Sequence, residues 1–122
     1  MAELELTWDK GLDDVAAAEA RALAAAAAEA DGTAPLSEQV LLHLRPGVRR
    51  AGVEHLRARS GGVLVGYAQL DRSDPVAGGA AELVVHPAHR RGGVGGALVA
   101  ALQEHVGPTA DGGAPQIGRA HV

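Results

Sequence analysis

The sequence predicts a small mixed α/β domain with a mostly antiparallel sheet flanked by helices. Three observations carry this. Leu4, Leu6 and Trp8 alternate with polar residues, as do Leu56 and Ala58 with His55, Arg57 and Arg59, which is the period of two of a half-buried strand. Ser60-Gly61-Gly62 separates two such runs by a turn that returns the chain antiparallel. Two other stretches, 12–31 and 94–106, show helical composition or spacing instead.

In chain order, Leu4 to Trp8 is a short strand. Leu12 to Asp31 holds no Gly or Pro and is dominated by Ala, the best helix former. Asp13 and Asp14 fall in its first turn, where the helix dipole favours acids, and Gly32 is the stop. Ser37 reads as the N-cap of a second helix, with Leu36 and Leu41 spaced as a hydrophobic staple; the helix runs to about Leu44 and Pro46 ends it. Glu54 to Ser60 and Val63 to Leu70 form the hairpin. Asp71 to Gly79 is rich in Asp, Ser, Pro and Gly and reads as a loop. Ala81 to Val85 is a third central strand, and Val94 to Val106 a helix with Leu98, Val99, Leu102 and Val106 on one face.

Composition limits what such a domain can do. A chain of 122 residues, 47% hydrophobic and 21% charged, suffices for one globular domain. Its only aromatics are Trp8 and Tyr67, so an Ala/Val/Leu core is thin and either marginal in stability or short of a partner surface. A net charge of −4 argues against a sequence-independent nucleic-acid binder. Without cysteine there is neither a disulfide framework nor a thiolate zinc site. No apolar run reaches the roughly 18 residues of a membrane span. Met1 to Lys10 lacks the order of a signal peptide, so the expectation is a soluble cytoplasmic protein with no membrane partner. Lys10 is the only lysine among the basic residues, an Arg bias that fits GC-rich codons and a high-GC bacterium.

The chemically informative run is Ala81-Glu-Leu-Val-Val-His-Pro-Ala-His-Arg-Arg-Gly-Gly-Val-Gly-Gly-Ala-Leu98. A buried strand ends, a basic Gly-rich loop follows, and a helix begins inside the loop. Glycines permit close backbone approach and positive φ, and amides at a helix start favour an anion. Arg90 and Arg91 add positive charge in an acidic protein. The run therefore predicts a pyrophosphate site. A P-loop needs Gly-Lys-Ser/Thr at the loop end, where this sequence has Gly96-Ala97-Leu98. A dinucleotide fingerprint needs Gly or Ala where Leu98 stands, and a tight turn where His86 to Arg91 intervenes.

Arg90-x-x-Gly93-x-Gly95, with Val-x-Pro before it and Ala-Leu-Val after it, resembles the acetyl-CoA signature of the GNAT acetyltransferase superfamily. The resemblance implies the GNAT fold and acetyl-CoA as co-substrate. It implies that the backbone of Leu83, Val84 and Val85 pairs with the pantetheine amides as an added strand would. It also implies that Arg91, Gly92, Gly93, Val94, Gly95 and Gly96 wrap the pyrophosphate. Gly92 departs from the many members that carry a third basic residue there.

A closer resemblance, from about Trp8 to Gly107, is to the mycothiol synthase family. Asp31-Gly-Thr-Ala-Pro-Leu-Ser-Glu-Gln-Val40, Ala81-Glu-Leu-Val-Val-His-Pro87 and the spacing between them carry it. Members are actinobacterial enzymes of two tandem GNAT domains that acetylate the cysteinyl amine of cysteinyl-glucosaminyl-inositol. The resemblance implies that Glu38 contacts the sugar-linked substrate; by itself an acid there is also what a helix dipole favours. Glu82 matches a strand position where some GNAT members keep a general base, but reads more simply as a solvent-facing strand residue. His86 and His89 flank Pro87 without a third ligand at metal spacing, so both read as loop residues and no metal is expected. The implied reaction is attack of a neutral amine on the acetyl thioester, with a proton removed by a base or a water relay and the oxyanion held by an amide near Val85. In the family, catalysis is placed in the second domain, so no catalytic residue is named and the missing C-terminal GNAT domain is the expected partner.

A complete GNAT domain also needs a further strand, a helix and more strands after the helix ending near Val106. Gly107 to Val122 reads as too short and too rich in Gly and Pro to supply a strand, so the fold is expected to be truncated there, leaving Ala81 to Val85 at a sheet edge. Ile117-Gly-Arg-Ala-His-Val122 is the translation of ATC GGA AGA GCA CAC GTC, the reading of a common short-read sequencing adapter. The expected organisation is thus a partial GNAT domain over 1–115 and a non-native tail over 116–122, the fragment alone being inactive. The alternatives are an acetyl-CoA-binding module without chemistry, or another GNAT small-molecule or protein N-acetyltransferase.

Overall fold

The computed structural model describes residues 3–74, 79–106 and 116–121. Its elements are β1 (Leu4–Asp9), α1 (Asp14–Asp31), α2 (Glu38–His43), β2 (Val53–Ser60), β3 (Val63–Asp71), β4 (Ala80–Val85), α3 (Val94–Val106) and β5 (Gln116–His121), with one 3-10 turn at Pro87–His89. The sheet runs in the order β1-β2-β3-β4-β5. The first four strands are antiparallel neighbours, and β5 joins β4 in parallel.

The helices form where the sequence supplies caps. Asp13 is the N-cap of α1, one position earlier than the first-turn role expected of it; its Oδ1 accepts the Ala16 N–H at 2.8 Å. Gly32 ends the helix at φ 70, donating its N–H to the Ala28 carbonyl. Ser37 caps α2 as expected, its Oγ accepting the Val40 N–H.

Two layers cover the sheet. On one face α1 buries Ala16, Ala17, Ala20, Leu23, Ala24 and Ala27, joined by Leu36, Val40 and Leu44 around α2, against Leu64, Tyr67 and Val84. On the other face α3 sets Val94, Leu98 and Leu102 against Leu56, Ala58, Val65, Ala68, Leu83 and Val85. A bulge fixes the second contact. The register steps from Ala58↔Gly66 to Arg59↔Leu64, so Val65 is the extra residue. A Cβ on Gly66 would lie 2.9 Å from Val94 Cγ1 and 3.0 Å from Leu98 Cδ1. Gly66 therefore lets the first turn of α3 lie directly on β3.

One expectation is corrected. The sheet does not end at β4: Gln116 to His121 forms a strand, with pairs from Ala80↔Gln116 to Val84↔His121 and an irregularity between Ala81 and Glu82. Composition argued against a strand across 107–122 as a whole, but six residues at its end suffice to pair with an open edge, because ladder bonds need only main chain. The expected break near Pro115 lies outside the described residues.

Candidate functional site

The Gly-rich loop is built from the end of β4. The His86 N–H donates to the Val65 carbonyl at 2.8 Å, which holds the chain on β3 one residue past the strand. His86 then caps the 3-10 turn, its Nδ1 accepting the Ala88 N–H, with Pro87 at the position that needs no donor. Two positive φ values follow, 68° at Arg91 and 85° at Gly93, and α3 starts at Val94. The Ala97 N–H, bonded to the Gly93 carbonyl at 3.0 Å, makes the first bond of the helix. The amides of Val94, Gly95 and Gly96 precede it and have no intrahelical acceptor.

Among the described residues, the side-chain positions at three of the loop's glycines are open. A Cβ built on Gly93 or Gly96 meets nothing within 4 Å, and one on Gly92 meets only the His89 carbonyl at 3.5 Å. Gly93 is explained by its φ. Gly96 is explained neither by φ nor by packing, and its absent side chain keeps the helix start open to a ligand approaching the backbone. The loop therefore fits a diphosphate.

The two arginines separate. Arg90, expected to add charge for the anion, is bound through both terminal nitrogens to the Asp31 carboxylate at 2.6 and 2.7 Å, and its Nε faces the Val85 carbonyl at 3.4 Å. The Asp31 hydrogen bond raises its pKa further, so it stays a committed cation. Arg90 is thus a brace from the loop to the C-terminal end of α1, with its charge neutralised locally. Arg91 is exposed and makes no ion pair among the described residues.

The remaining expected residues lie as follows. Val94 is buried, pressed over Gly66. Leu83, Val84 and Val85 are buried in β4; Leu83 and Val84 face β5 partners, and Val85 lies one residue beyond the last pair. Because His86 bonds toward β3, the alternation of an antiparallel ladder turns the Val85 amide and carbonyl to the opposite edge. Glu38 is exposed at the start of α2, bordering a shallow depression with Arg21, Leu41, Leu42 and Arg45. Glu82 is not a solvent-facing residue: it is half-buried and its Oε1 accepts the Ser37 N–H at 2.7 Å, tying β4 to the start of α2. His86 and His89 pack edge to face, and no group of three metal-binding side chains occurs among the described residues.

Sequence reasoning missed a buried polar chain on the α1/α2 face. His55 Nδ1 lies 2.6 Å from the Tyr67 hydroxyl. Gln69 Nε2 donates to that hydroxyl at 3.0 Å and to the Val40 carbonyl at 3.1 Å, and Gln69 Oε1 meets His43 Nδ1 at 2.9 Å. All four side chains are buried. Burial pulls His55 down to about 4 and pushes the Tyr67 hydroxyl up, so both are neutral near pH 7. His55 had read as the polar side of an alternating strand. Period two gives the face of a residue, not whether a helix covers that face.

Comparison with known proteins follows the same lines. The acetyltransferase (GNAT) domain family matches residues 51–118. The chain is 48% identical to the mycothiol acetyltransferase of Actinosynnema mirum over 112 residues, 91% of this chain and 36% of that protein. It is 53% identical to the mycothiol acetyltransferase of a Parafrankia species over 97 residues, 80% of this chain and 30% of that protein. The chain thus spans about a third of the length of these curated relatives. Among solved structures, the ribosomal-protein-alanine N-acetyltransferase of Brucella melitensis aligns over 98% of this chain and 79% of its own, with a TM-score of 0.61 at 22% identity. An aminoglycoside acetyltransferase from a soil metagenome aligns over 98% of this chain and 77% of its own, with a TM-score of 0.56 at 14% identity. At such identities these structures speak for the fold alone.

Proposed function

The chain belongs to the acetyltransferase (GNAT) family, and we propose that it is part of a mycothiol acetyltransferase that binds acetyl-CoA at the loop of residues 91–96. The open start of α3 carries this reading. The diphosphate of the coenzyme sits before the amides of Arg91, Gly92, Gly93, Val94, Gly95 and Gly96, with the Arg91 guanidinium beside it. The pantetheine arm meets β4 at the Val85 main chain, which is turned away from β3 and lies one residue past the pairs with β5; Leu83 and Val84, already paired to β5, are reached only where β5 is absent. Arg90 holds the loop through Asp31 rather than touching the anion. The coenzyme supplies an acetyl thioester, and the acceptor is a small-molecule amine, the cysteinyl amine of cysteinyl-glucosaminyl-inositol.

The share of its relatives that the chain spans supports a second GNAT domain in the intact protein, with which this one works in the cytoplasm. Glu38, exposed at the start of α2, is the contact for the sugar-linked acceptor. We infer from the codon reading of Ile117 to Val122 that residues 116–122 are foreign to the natural gene, against a family match that runs through residue 118; the pairing of Gln116–His121 with β4 asks little of side chains. Reading the locus from intact DNA tests this, and a natural stop after Val122 refutes it.

Calorimetry with acetyl-CoA tests the site. Saturable uptake that Gly93→Val abolishes is the expected result, and uptake indifferent to that change contradicts the proposal. Transfer to the cysteinyl amine by the full-length enzyme, lost when the same loop is altered, separates a productive domain from one that only holds the coenzyme.

A further inference from the structure

A cavity of about 140 Å³ opens on the α2 side of the sheet, its polar border formed by Ser37, Gln39, His43, Gln69, Asp71 and Glu82. Among the described residues its border carries two carboxylates and no lysine or arginine. Acidic residues alone do not make a site, but here the buried polar chain ends at the cavity and fixes the state of a third group. The Val40 carbonyl can only accept, so the Gln69 atom facing it is the NH₂ group. The other amide atom is then oxygen, which can only accept, so His43 Nδ1 carries a hydrogen. In neutral His43 the lone pair is therefore on Nε2. His43 is 8% exposed, and Nε2 has no partner among the described residues. No buried side-chain nitrogen or oxygen among those residues lacks a partner, so Nε2 is an accessible atom, and the opening that His43 borders is this cavity.

We propose that this cavity takes a small organic ammonium group, whose N–H bonds are accepted by His43 Nε2 and by the carboxylates of Asp71 and Glu82. Both charged groups on the border are negative, His43 Nε2 accepts, and the Ser37 hydroxyl and Gln39 amide can accept as well as donate. A neutral polyol would leave the two charges uncompensated, and an anion would be repelled. Glu82 keeps one oxygen on the Ser37 N–H, and Asp71 keeps one on Ser73, so each carboxylate is fixed in place with its second oxygen to offer. Gln69, held by Val40 and Tyr67, is a positioning residue: it acts on the ligand only by setting the His43 tautomer. Identifying the ammonium as the acceptor amine of acetyl transfer rests on the proposed function above; the binding of an ammonium group does not.

Long-range ¹H–¹⁵N correlation spectra of the His43 ring test both parts, with methylammonium as the probe and tetramethylammonium, equal in charge but without N–H bonds, as the control. The expected result is hydrogen on Nδ1, a bare Nε2, and a saturable shift of the Nε2 resonance with methylammonium only. Glu82→Gln keeps an oxygen for the Ser37 N–H and should weaken methylammonium binding about tenfold. Gln69→Leu should release the tautomer, giving mixed ring-nitrogen signals that a purely structural role would not produce. Hydrogen on Nε2, equal response to the two cations, or affinity unchanged in Glu82→Gln overturns the proposal. Methylammonium binding without acetyl-CoA uptake refutes the coenzyme reading and leaves this one standing; acetyl-CoA uptake without a methylammonium response overturns this one alone.

Discussion

The face of the sheet under α3 is lined by Leu56, Ala58, Val65, Ala68, Leu83 and Val85, with Gly66 left bare so that Val94 and Leu98 can settle on it. The face under α1 and α2 mixes Leu64 and Val84 with His55, Tyr67, Gln69 and Glu82, all inside hydrogen bonds. The dry face positions a helix start whose polar groups are main-chain amides. The wet face holds its polar groups in side chains and must satisfy each of them. Packing on the first is thus felt at the Gly-rich loop, and protonation is felt on the second.

The sharpest break of that contrast is steric. Gly66→Val puts two methyl groups where Val94 and Leu98 lie, and overpacking of this kind should destabilise by about 3 kcal/mol and displace the loop. Urea unfolding and coenzyme A calorimetry should fall together; intact affinity in a destabilised variant would uncouple the dry face from the loop.

The next is acid. His55 is held down to about 4 by burial, below its ordinary 6.5. The unfolded chain therefore takes up this proton first as pH falls, and stability present above pH 6.5 is lost progressively toward pH 4. About 3 kcal/mol should disappear across that window. Urea midpoints against pH should show it, and His55→Asn, less stable at neutral pH, should flatten that segment of the curve. The face under α3 behaves differently: burial alone would raise Glu54, but its hydrogen bonds with Arg72 and His105 hold it below its ordinary 4.5, so its contribution is lost only as pH falls below 4.5.

The smaller effects divide the two arginines. Arg90→Ala breaks a two-point ion pair with Asp31 that is about four-fifths buried on both sides and should destabilise by about 1.5 kcal/mol. Arg91→Gly removes a charge but suits φ 68, so stability should rise by up to about 1 kcal/mol while coenzyme affinity drops about tenfold. Equal behaviour of the two variants would contradict the brace.

The same contrast explains what could be read before folding. The Gly-rich loop was legible because its chemistry is main-chain and contiguous: Arg91 to Gly96 declares open backbone without reference to the rest of the chain. The elements up to α3 were legible for a similar reason, since Asp13, Ser37, Gly32 and the Ser60-Gly61-Gly62 turn act on their neighbours. The polar chain was not. His43, His55, Tyr67 and Gln69 meet only because α2 closes on β3, and His43 and Gln69 are 26 positions apart. Arg90 and Asp31 are 59 apart, and nothing local distinguishes an arginine that braces from one that binds. β5 was missed because edge pairing needs little from side chains.

Gly96→Leu isolates the central claim, since a Cβ there meets no protein atom within 4 Å and leucine is the better helix former. Calorimetry with acetyl-CoA on this variant should find affinity reduced by at least about a hundredfold, with stability unchanged or higher. Retention of the original affinity by the well-folded variant would show that the coenzyme does not lie against the start of α3.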